Sequence, residues 1–444
     1  MLARIAQALS RFSSRWVPDA WVIAVGLTGV TAALALGLTP SGPSDVVRHW
    51  GDGFWKFLTF AMQMCLVVMT GYMLSTAPPV RRLLERAADL ATTPRAAVVL
   101  MAVVSLLLGW LHWGLSVAAS AVLVRVVARR QPKVDYRLLV CCAYFGVATI
   151  WHAGWSGSAP TKVAMEGHEF VDVMGVLPVS ESILNPFNLA LVALVLVLMP
   201  FLAWRLHPPE GEAVCVDPAT LDDAAAKEDD ARERTPAGAI ESSRIPNLLL
   251  AAAAGWWLVL EFRERGLDAV NIDTLNFTFL FLAVLAHGTP ASFLRSASEA
   301  GRFVWGIAIQ FPFYAGIAGI LSGSGLSTEI AAAFESFATA ETYPFFVLVY
   351  SGFLNYIVPS GGSQWIVSGE YLMQAANGLG VGTDKALIAY SWGDMSTNLV
   401  QPFWAIPLLA IAGLRFRDIM GFAVILFAVY FAVVGAAFLA FGWM

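Results

Sequence analysis

The stretch Trp151-His152-Ala153-Gly154-Trp155-Ser156-Gly157-Ser158-Ala159-Pro160 interrupts an apolar run that starts near Leu138. Glycine, serine and proline at this density stop a helix. A second interruption, Gly393-Asp394-Met395-Ser396-Thr397-Asn398-Leu399-Val400-Gln401-Pro402, falls in the run that starts near Ala386. Backbone that is not helical is tolerated at membrane depth only where it is buried in protein or lines a cavity. If these runs lie in a bilayer, the two interruptions mark two broken spans that meet at one site.

The composition places them there. Of 444 residues, 58% are apolar and 13% are charged, with 16 Trp and 28 Phe. A soluble domain carries about 25% charged residues, so the chain reads as an all-α polytopic membrane protein. Further runs long enough for a hydrocarbon core roughly 30 Å thick start near Trp21, Phe54, Ser182, Pro246, Asp273, Arg302 and Arg417. With the two broken runs they give nine crossings. No basic patch interleaved with aromatics occurs, which sets nucleic acid aside. No GxxxxGK[ST] occurs either, so a P-loop pump is excluded within this chain.

Two runs, Ala96 to Val124 and Pro344 to Ala376, are too long for one span and too short for two plus a turn. Cytoplasmic segments collect Lys and Arg, and an N-terminus inside gathers 21 of the 27 basic residues on that side. The first run then has Arg81, Arg82, Arg86 and Arg95 before it and Arg125 to Arg137 after it, so it enters and leaves on the cytoplasmic face. It reads as a re-entrant hairpin (about 96–124) with its tip at His112-Trp113-Gly114. The second (about 344–376) follows Glu329, Glu335 and Glu341 and precedes Asp384 and Lys385, an outside signature. Its tip, Asn355 to Ser363, dips in from the opposite face. The C-terminus is then outside.

Features recur about 242 to 249 residues apart: Gln63 with Gln310, His112 with Asn355, Asp135 with Asp384, Ala143-Tyr144 with Ala389-Tyr390, and Pro160 with Pro402. Both halves share the order span, span, hairpin, broken span, span. The additional crossing from Pro246 inverts the second copy, and inverted repeats with broken elements are a transporter signature. The organisation is a first repeat over 1–206, an acidic cytoplasmic linker over 207–245, and the extra crossing plus second repeat over 246–444. His207 to Arg244 holds ten acidic and four basic residues and reads as mobile.

The hairpin tips and broken spans are expected to converge at the bilayer midplane, where released helix N-termini attract an anion and freed carbonyls hold a cation. No Lys or Arg stands near the four interruptions, so an anion would be held by N–H groups, hydroxyls and amides. The candidate ligands are His112, Trp113, Gly114, Ser156, Gly157, Ser158, Asn355, Pro359, Ser360, Gly361, Gly362, Ser363, Asn398 and Gln401. His152 and Asp394 are the candidate coupling groups, because histidine titrates near neutrality and an intramembrane carboxylate is costly unless it has a role. The two histidines read equally as satisfied polar groups of the bundle. Trp113, Trp155, Tyr356, Trp365, Trp392, Phe403 and Trp404 make the surroundings aromatic, which suits a small carboxylate with a short apolar tail. No resident cofactor is expected beyond a coupling Na⁺ or H⁺, with possible Na⁺ binding at the hairpin tips.

Several motifs also carry a resemblance: Arg15-Trp16-Val17-Pro18-Asp19, Trp50-Gly51-Asp52-Gly53-Phe54-Trp55, Ser156-Gly157-Ser158, Gln310-Phe311-Pro312-Phe313-Tyr314-Ala315-Gly316, Val358-Pro359-Ser360-Gly361-Gly362 and Gln401-Pro402-Phe403-Trp404-Ala405. The chain resembles the bacterial short-chain fatty acid transporter family, within the wider ion-transporter superfamily, nearly end to end. The resemblance implies uptake of short-chain monocarboxylates such as acetoacetate and butyrate across the inner membrane, with hairpins, inverted repeats, homodimers and elevator-like movement. It departs from the family at the expected site: His112 stands where Asn is expected before Trp-Gly, His152 enters the first broken span, and Gly393-Asp394 replaces a Glu-Gln pair. The competing reading is a membrane-embedded enzyme acting on an acyl or lipid substrate through His112, His152 and Asp394, which predicts chemical conversion rather than vesicle uptake. A channel is the third reading.

Overall fold

A computed structural model describes residues 20–209, 211–217, 235–401 and 403–441. Arg4, Arg11, Arg15, Pro402 and, within the acidic linker, residues 210 and 218–234 therefore lie outside the described residues. Among the described residues the chain is helical, without strands. The helices that frame the site are α1 (Ala20–Leu38), α2 (Leu58–Thr76), α3 (Pro94–Leu111), α4 (Trp113–Arg130), α5 (Tyr136–Ala143), α6 (Ser158–Lys162) and α7 (Pro186–Leu206). The second half supplies α8 (Ile245–Arg265), α9 (Ile272–His287), α10 (Trp305–Ser324), α11 (Tyr343–Ile357), α12 (Gly361–Gly378), α13 (Thr383–Ser396), α14 (Ile406–Ala412) and α15 (Phe416–Phe441).

Local sequence accounts for the boundaries. Pro94 and Pro186 occupy first-turn positions, where a missing N–H costs nothing, behind the capping residues Thr93 and Asn185. Asp135 opens α5 by accepting the N–H of Leu138 at 3.1 Å, as an N-cap should. Six described helices are long and apolar enough to cross a membrane: α2, α3, α7, α8, α10 and α15, with shorter apolar stretches at Ala24–Leu38 within α1 and Ile272–His287, which is α9. The runs starting at Leu138 and Ala386 supply none of the six, because both break. The first passes through α5, residues 145–149 and 151–153, and α6; the second through α13, residues 397–399 and 403–405, and α14.

Burial separates outward-facing from internal elements. Only 11% of the most apolar window of α8 is buried, whereas residues 138–154 of the first broken run are buried without exception. A helix that is apolar all round needs protein or lipid about it, so the outer face of α8 is left for such surroundings, whereas the broken runs meet protein. Apolar side chains gain little from leaving lipid, and close backbone packing holds such bundles together. Gly109 on α3 packs against Gly146 with no room for a Cβ, and in the second half Gly352 on α11 faces Gly393 and Ser396 on α13.

The run expected as a hairpin over 96–124 is two helices of 18 residues, α3 and α4, extending beyond both expected limits. They are locked together by Ser116, whose hydroxyl donates to the Ser105 carbonyl at 2.9 Å. The second pair, α11 and α12, is tied by Tyr343 donating to the Leu372 carbonyl at 2.6 Å and Gln364 to that of Ser351 at 3.0 Å. The two turns are alike in detail. His112 (φ −161, ψ 106) accepts the N–H of Leu115, and Ser360 (φ −155, ψ 109) accepts that of Ser363. By capping geometry the partner of His112 is therefore Ser360, five residues beyond Asn355, because the turn follows where the helix ends rather than where an amide recurs.

The linker expected to be mobile is anchored at its start. His207 is buried and accepts the Asp135 N–H, while the Val214 N–H donates to Asp135 Oδ2 at 3.0 Å.

Candidate substrate and coupling site

The two turns and the two broken runs meet. A cavity of about 320 Å³ is lined by Trp113 and Gly114 from the first turn, Ser360 and Ser363 from the second, Phe403 and Trp404 from the second broken run, and Gln310 and Phe311 from α10. A deeper pocket of about 30 Å³ shares Trp113, Ile307, Phe311, Ser360 and Trp404 and adds Ser158, Gly361, Gly362 and Trp151. The walls are therefore indole and phenyl faces, with hydroxyls and backbone at one end. Trp113 stands edge-on to Trp404 at 5.1 Å and to Trp151 at 6.0 Å.

The polar end is the N-terminus of α12. The N–H groups of Gly361 and Gly362 have no intrahelical acceptor at the first turn, and the helix dipole favours a negative group there. Ser360 Oγ accepts from Ser363, which leaves its proton to donate. Glycine is required at 361: a Cβ there would stand 2.7 Å from His152 Cε1 and 2.8 Å from Asp394 Oδ2.

Directly behind Gly361, His152 Nδ1 lies 2.6 Å from Asp394 Oδ2, and both side chains are sealed from solvent. The other ring nitrogen fixes the tautomer. His152 Nε2 accepts the Ala159 N–H at 3.2 Å, with the Ser158 hydroxyl at 3.1 Å, so the ring proton sits on Nδ1 and is donated to Asp394. Asp394 Oδ1 is buried with no hydrogen-bond partner. Trp151 stacks on the imidazole at 4.3 Å, and Tyr390 closes the far side while donating to the Gly361 carbonyl at 2.6 Å.

The remaining expected residues serve as braces. His112 is buried and caps α4 through Nδ1, with Nε2 3.2 Å from Thr70 Oγ1. Since Thr70 donates to the Leu66 carbonyl, Nε2–H donates to Thr70 and the ring is satisfied. Ser156 accepts the Trp113 N–H at 2.8 Å and, with His112, lines a void of only about 10 Å³. Gly157 packs under the His152 carbonyl. Asn355 donates to Asn398 Oδ1 at 2.8 Å and to Thr397 at 2.9 Å, and Asn398 donates to the Val147 carbonyl, joining the second hairpin to both broken runs. Gln401 accepts the Phe403 N–H, and the Pro359 carbonyl accepts the Trp404 indole N–H.

The freed carbonyls are occupied: those of Val147, Thr149, Ala153, Pro359 and Gly361 accept from Asn398, Tyr430, Asn188, Trp404 and Tyr390. Buried carbonyls are costly to leave unpaired, and these five accept from side chains. A basic residue also stands at the first interruption after all. Lys162 ends α6, is buried, pairs with Glu169 Oε1 at 3.3 Å and lies 5.5 Å from the centre of the Phe60 ring. It lies only two residues beyond Pro160, so its position was legible.

The residues sequence reasoning missed are Trp151, Tyr390, Ile307, Phe311 and Met64. Phe311 had a signal, because Pro312 follows it inside α10 and an internal proline marks an irregular helix. Trp151 opens the first interruption and Tyr390 stands in the recurring Ala-Tyr pair, whereas Ile307 and Met64 had no signal beyond being apolar. Among the expected aromatics, Trp392 turns away and donates to Asn188 at 2.8 Å.

The family described as short chain fatty acid transporter matches residues 1–440. The chain belongs to that family. An Escherichia coli (strain K12) relative is 38% identical over 425 residues, covering 96% of each chain. One from Haemophilus influenzae is 35% identical over 450 residues, covering 99% of this chain and 100% of its own. Both relatives are named, provisionally, as short-chain fatty acid transporters. The fold is shared with the Alcanivorax borkumensis YdaH transporter, at TM-score 0.59 and 14% identity over 94% of this chain and 98% of that one. It is shared also with Neisseria gonorrhoeae MtrF, described as illuminating a class of antimetabolite efflux pumps, at TM-score 0.52 and 11% identity over 100% and 97%. The short-chain fatty acid transporter family member described here is thus a multi-pass membrane transporter rather than an enzyme.

Proposed function

We propose that the chain takes up short-chain monocarboxylates across the bacterial inner membrane by proton symport, its N-terminus in the cytoplasm. The observation that carries this is the adjacency of three things: an aromatic cavity, the unpaired N-terminus of α12, and the His152–Asp394 pair beside Gly361. The carboxylate is held by Gly361 N–H, Gly362 N–H and Ser360 Oγ, and its short tail lies among Trp113, Trp404 and Phe311. Among the described residues no cation lines the cavity, which favours a single negative charge offset by a co-transported proton.

The proton is taken by Asp394 at Oδ1, the oxygen without a partner. H⁺ is favoured over Na⁺ because the carbonyls that would coordinate a metal ion already accept hydrogen bonds. Protonation weakens the bond from His152 and frees the second turn, which rests on that pair through Gly361. The inverted arrangement of the halves supplies the two alternating faces.

Uptake of labelled butyrate and acetoacetate into proteoliposomes under a separate pH gradient and Na⁺ gradient tests this. Accumulation is expected under the pH gradient alone, and lost in Asp394→Asn. Accumulation under Na⁺ alone would overturn the proton assignment, and no transport of either acid by folded protein would overturn the substrate.

A further inference from the structure

A second cavity, of about 290 Å³, lies away from the transport site, between the helix Pro78–Ala87 and the facing ends of α8 and α9. Arg82 and Arg244 both line it, together with Leu248, Leu285 and Asn247, and among the described residues no acidic side chain does. Arg82 uses Nε on its own helix, bonding the Pro78 carbonyl at 3.2 Å, which leaves its terminal NH groups for another acceptor. Arg244 precedes α8 and comes within reach of Gly288, where the chain turns with φ 73. Two guanidiniums facing one void without a carboxylate repel each other unless an anion joins them.

The floor of the void indicates which anion. Leu248 is 52% exposed and Leu285 is 48% exposed, and α8 presents almost its whole apolar length outward. A free inorganic ion has no use for leucines; a molecule with an anionic head and hydrocarbon tails has. Arg82 and Arg244 also belong to the basic segments that charge bias places on the cytoplasmic side, at the ends of apolar helices, which is headgroup depth. Guanidinium pairs bind phosphate oxygens in two-pronged fashion, and basic pockets between membrane helices hold anionic headgroups.

We propose that Arg82 and Arg244 form a binding site for the phosphate group of an anionic phospholipid, whose acyl chains run along Leu248 and Leu285. The site pins the loop before α8 to the helix Pro78–Ala87, so the lipid braces the junction between the two halves. Each arginine near a membrane surface is worth about fivefold in binding, and the pair together about 25-fold.

Detergent-solubilised full-length protein titrated with phosphatidylglycerol or phosphatidylcholine, with retained lipid counted by native mass spectrometry, tests this. One phosphatidylglycerol is expected to be retained in preference to phosphatidylcholine, with retention reduced severalfold in Arg82→Gln and in Arg244→Gln and about 25-fold in the double variant. Equal retention by wild type and double variant, or no preference for the anionic lipid, would overturn the proposal. Displacement of phosphatidylglycerol by an equal concentration of inorganic phosphate would assign the site to free phosphate and overturn the lipid. Wild-type thermal unfolding of each variant without added lipid separates lost binding from lost folding.

Discussion

His152 donates from Nδ1 to Asp394 Oδ2 across 2.6 Å, joining the two broken runs over 242 residues of chain. Without the other, His152 Nδ1 and Asp394 Oδ2 would each be a buried polar atom lacking this partner. Together they form a pair with one vacant oxygen, Asp394 Oδ1, directly behind the turn that faces the cavity.

Removing the two partners has unequal consequences. His152→Ala leaves the carboxylate of Asp394 buried without its donor and is expected to cost roughly 3 to 5 kcal/mol. Asp394→Asn keeps an acceptor for His152 and costs less, about 1 kcal/mol. Thermal unfolding in detergent should rank His152→Ala below Asp394→Asn, and the double variant should regain part of the loss. An equal effect of the two single changes would argue that the pair is not charged.

Gly361→Ala places a methyl 2.7 Å from His152 Cε1, against a ring held by three partners. Uptake is expected to fall at least tenfold, the factor corresponding to about 1.4 kcal/mol. At Gly362 the nearest atom is Phe311 Cζ at 3.2 Å, a ring that can tilt, so Gly362→Ala should be milder. Transport rates of the two variants in the same vesicles decide this, and the reverse order would remove the second turn from contact with the pair.

His112 is a helix cap by its hydrogen bonds. His112→Asn retains an N-cap acceptor and should keep near wild-type stability and pH dependence of uptake, whereas His112→Ala should lose about 1 kcal/mol. A pH profile displaced in His112→Asn would give this residue a part in proton transfer.

Outside the spans, Asp135 ties the linker to α5. Burial pushes its carboxyl upward, and the Arg137 guanidinium with the N–H groups of Val214 and Leu138 outweighs it, leaving the carboxyl below its ordinary value. A carboxylate depressed on folding contributes stability that is present above the unfolded value and lost as pH falls through the folded one. Asp135→Asn should therefore be less stable than wild type at pH 7, by about 1 to 3 kcal/mol, and the gap should close in acid, below the ordinary carboxylate value of 3.8. A gap unchanged between pH 7 and pH 3, read by thermal unfolding, would contradict it.

The sequence by itself determined that the chain is helical and membrane-embedded, where its runs break, and that glycine-rich turns stand beside the breaks. Those features are local: apolar length, proline and glycine chemistry, and charge bias act within some twenty residues. Only tertiary structure decided that Ser360 rather than Asn355 matches His112, that side chains occupy the freed carbonyls, and that Trp151, Tyr390 and Phe311 enclose the site. Those depend on which distant helices press together, and a polar residue reads the same in sequence whether its partner is a ligand or a backbone carbonyl 251 residues away, as for the Asn398 bond to Val147.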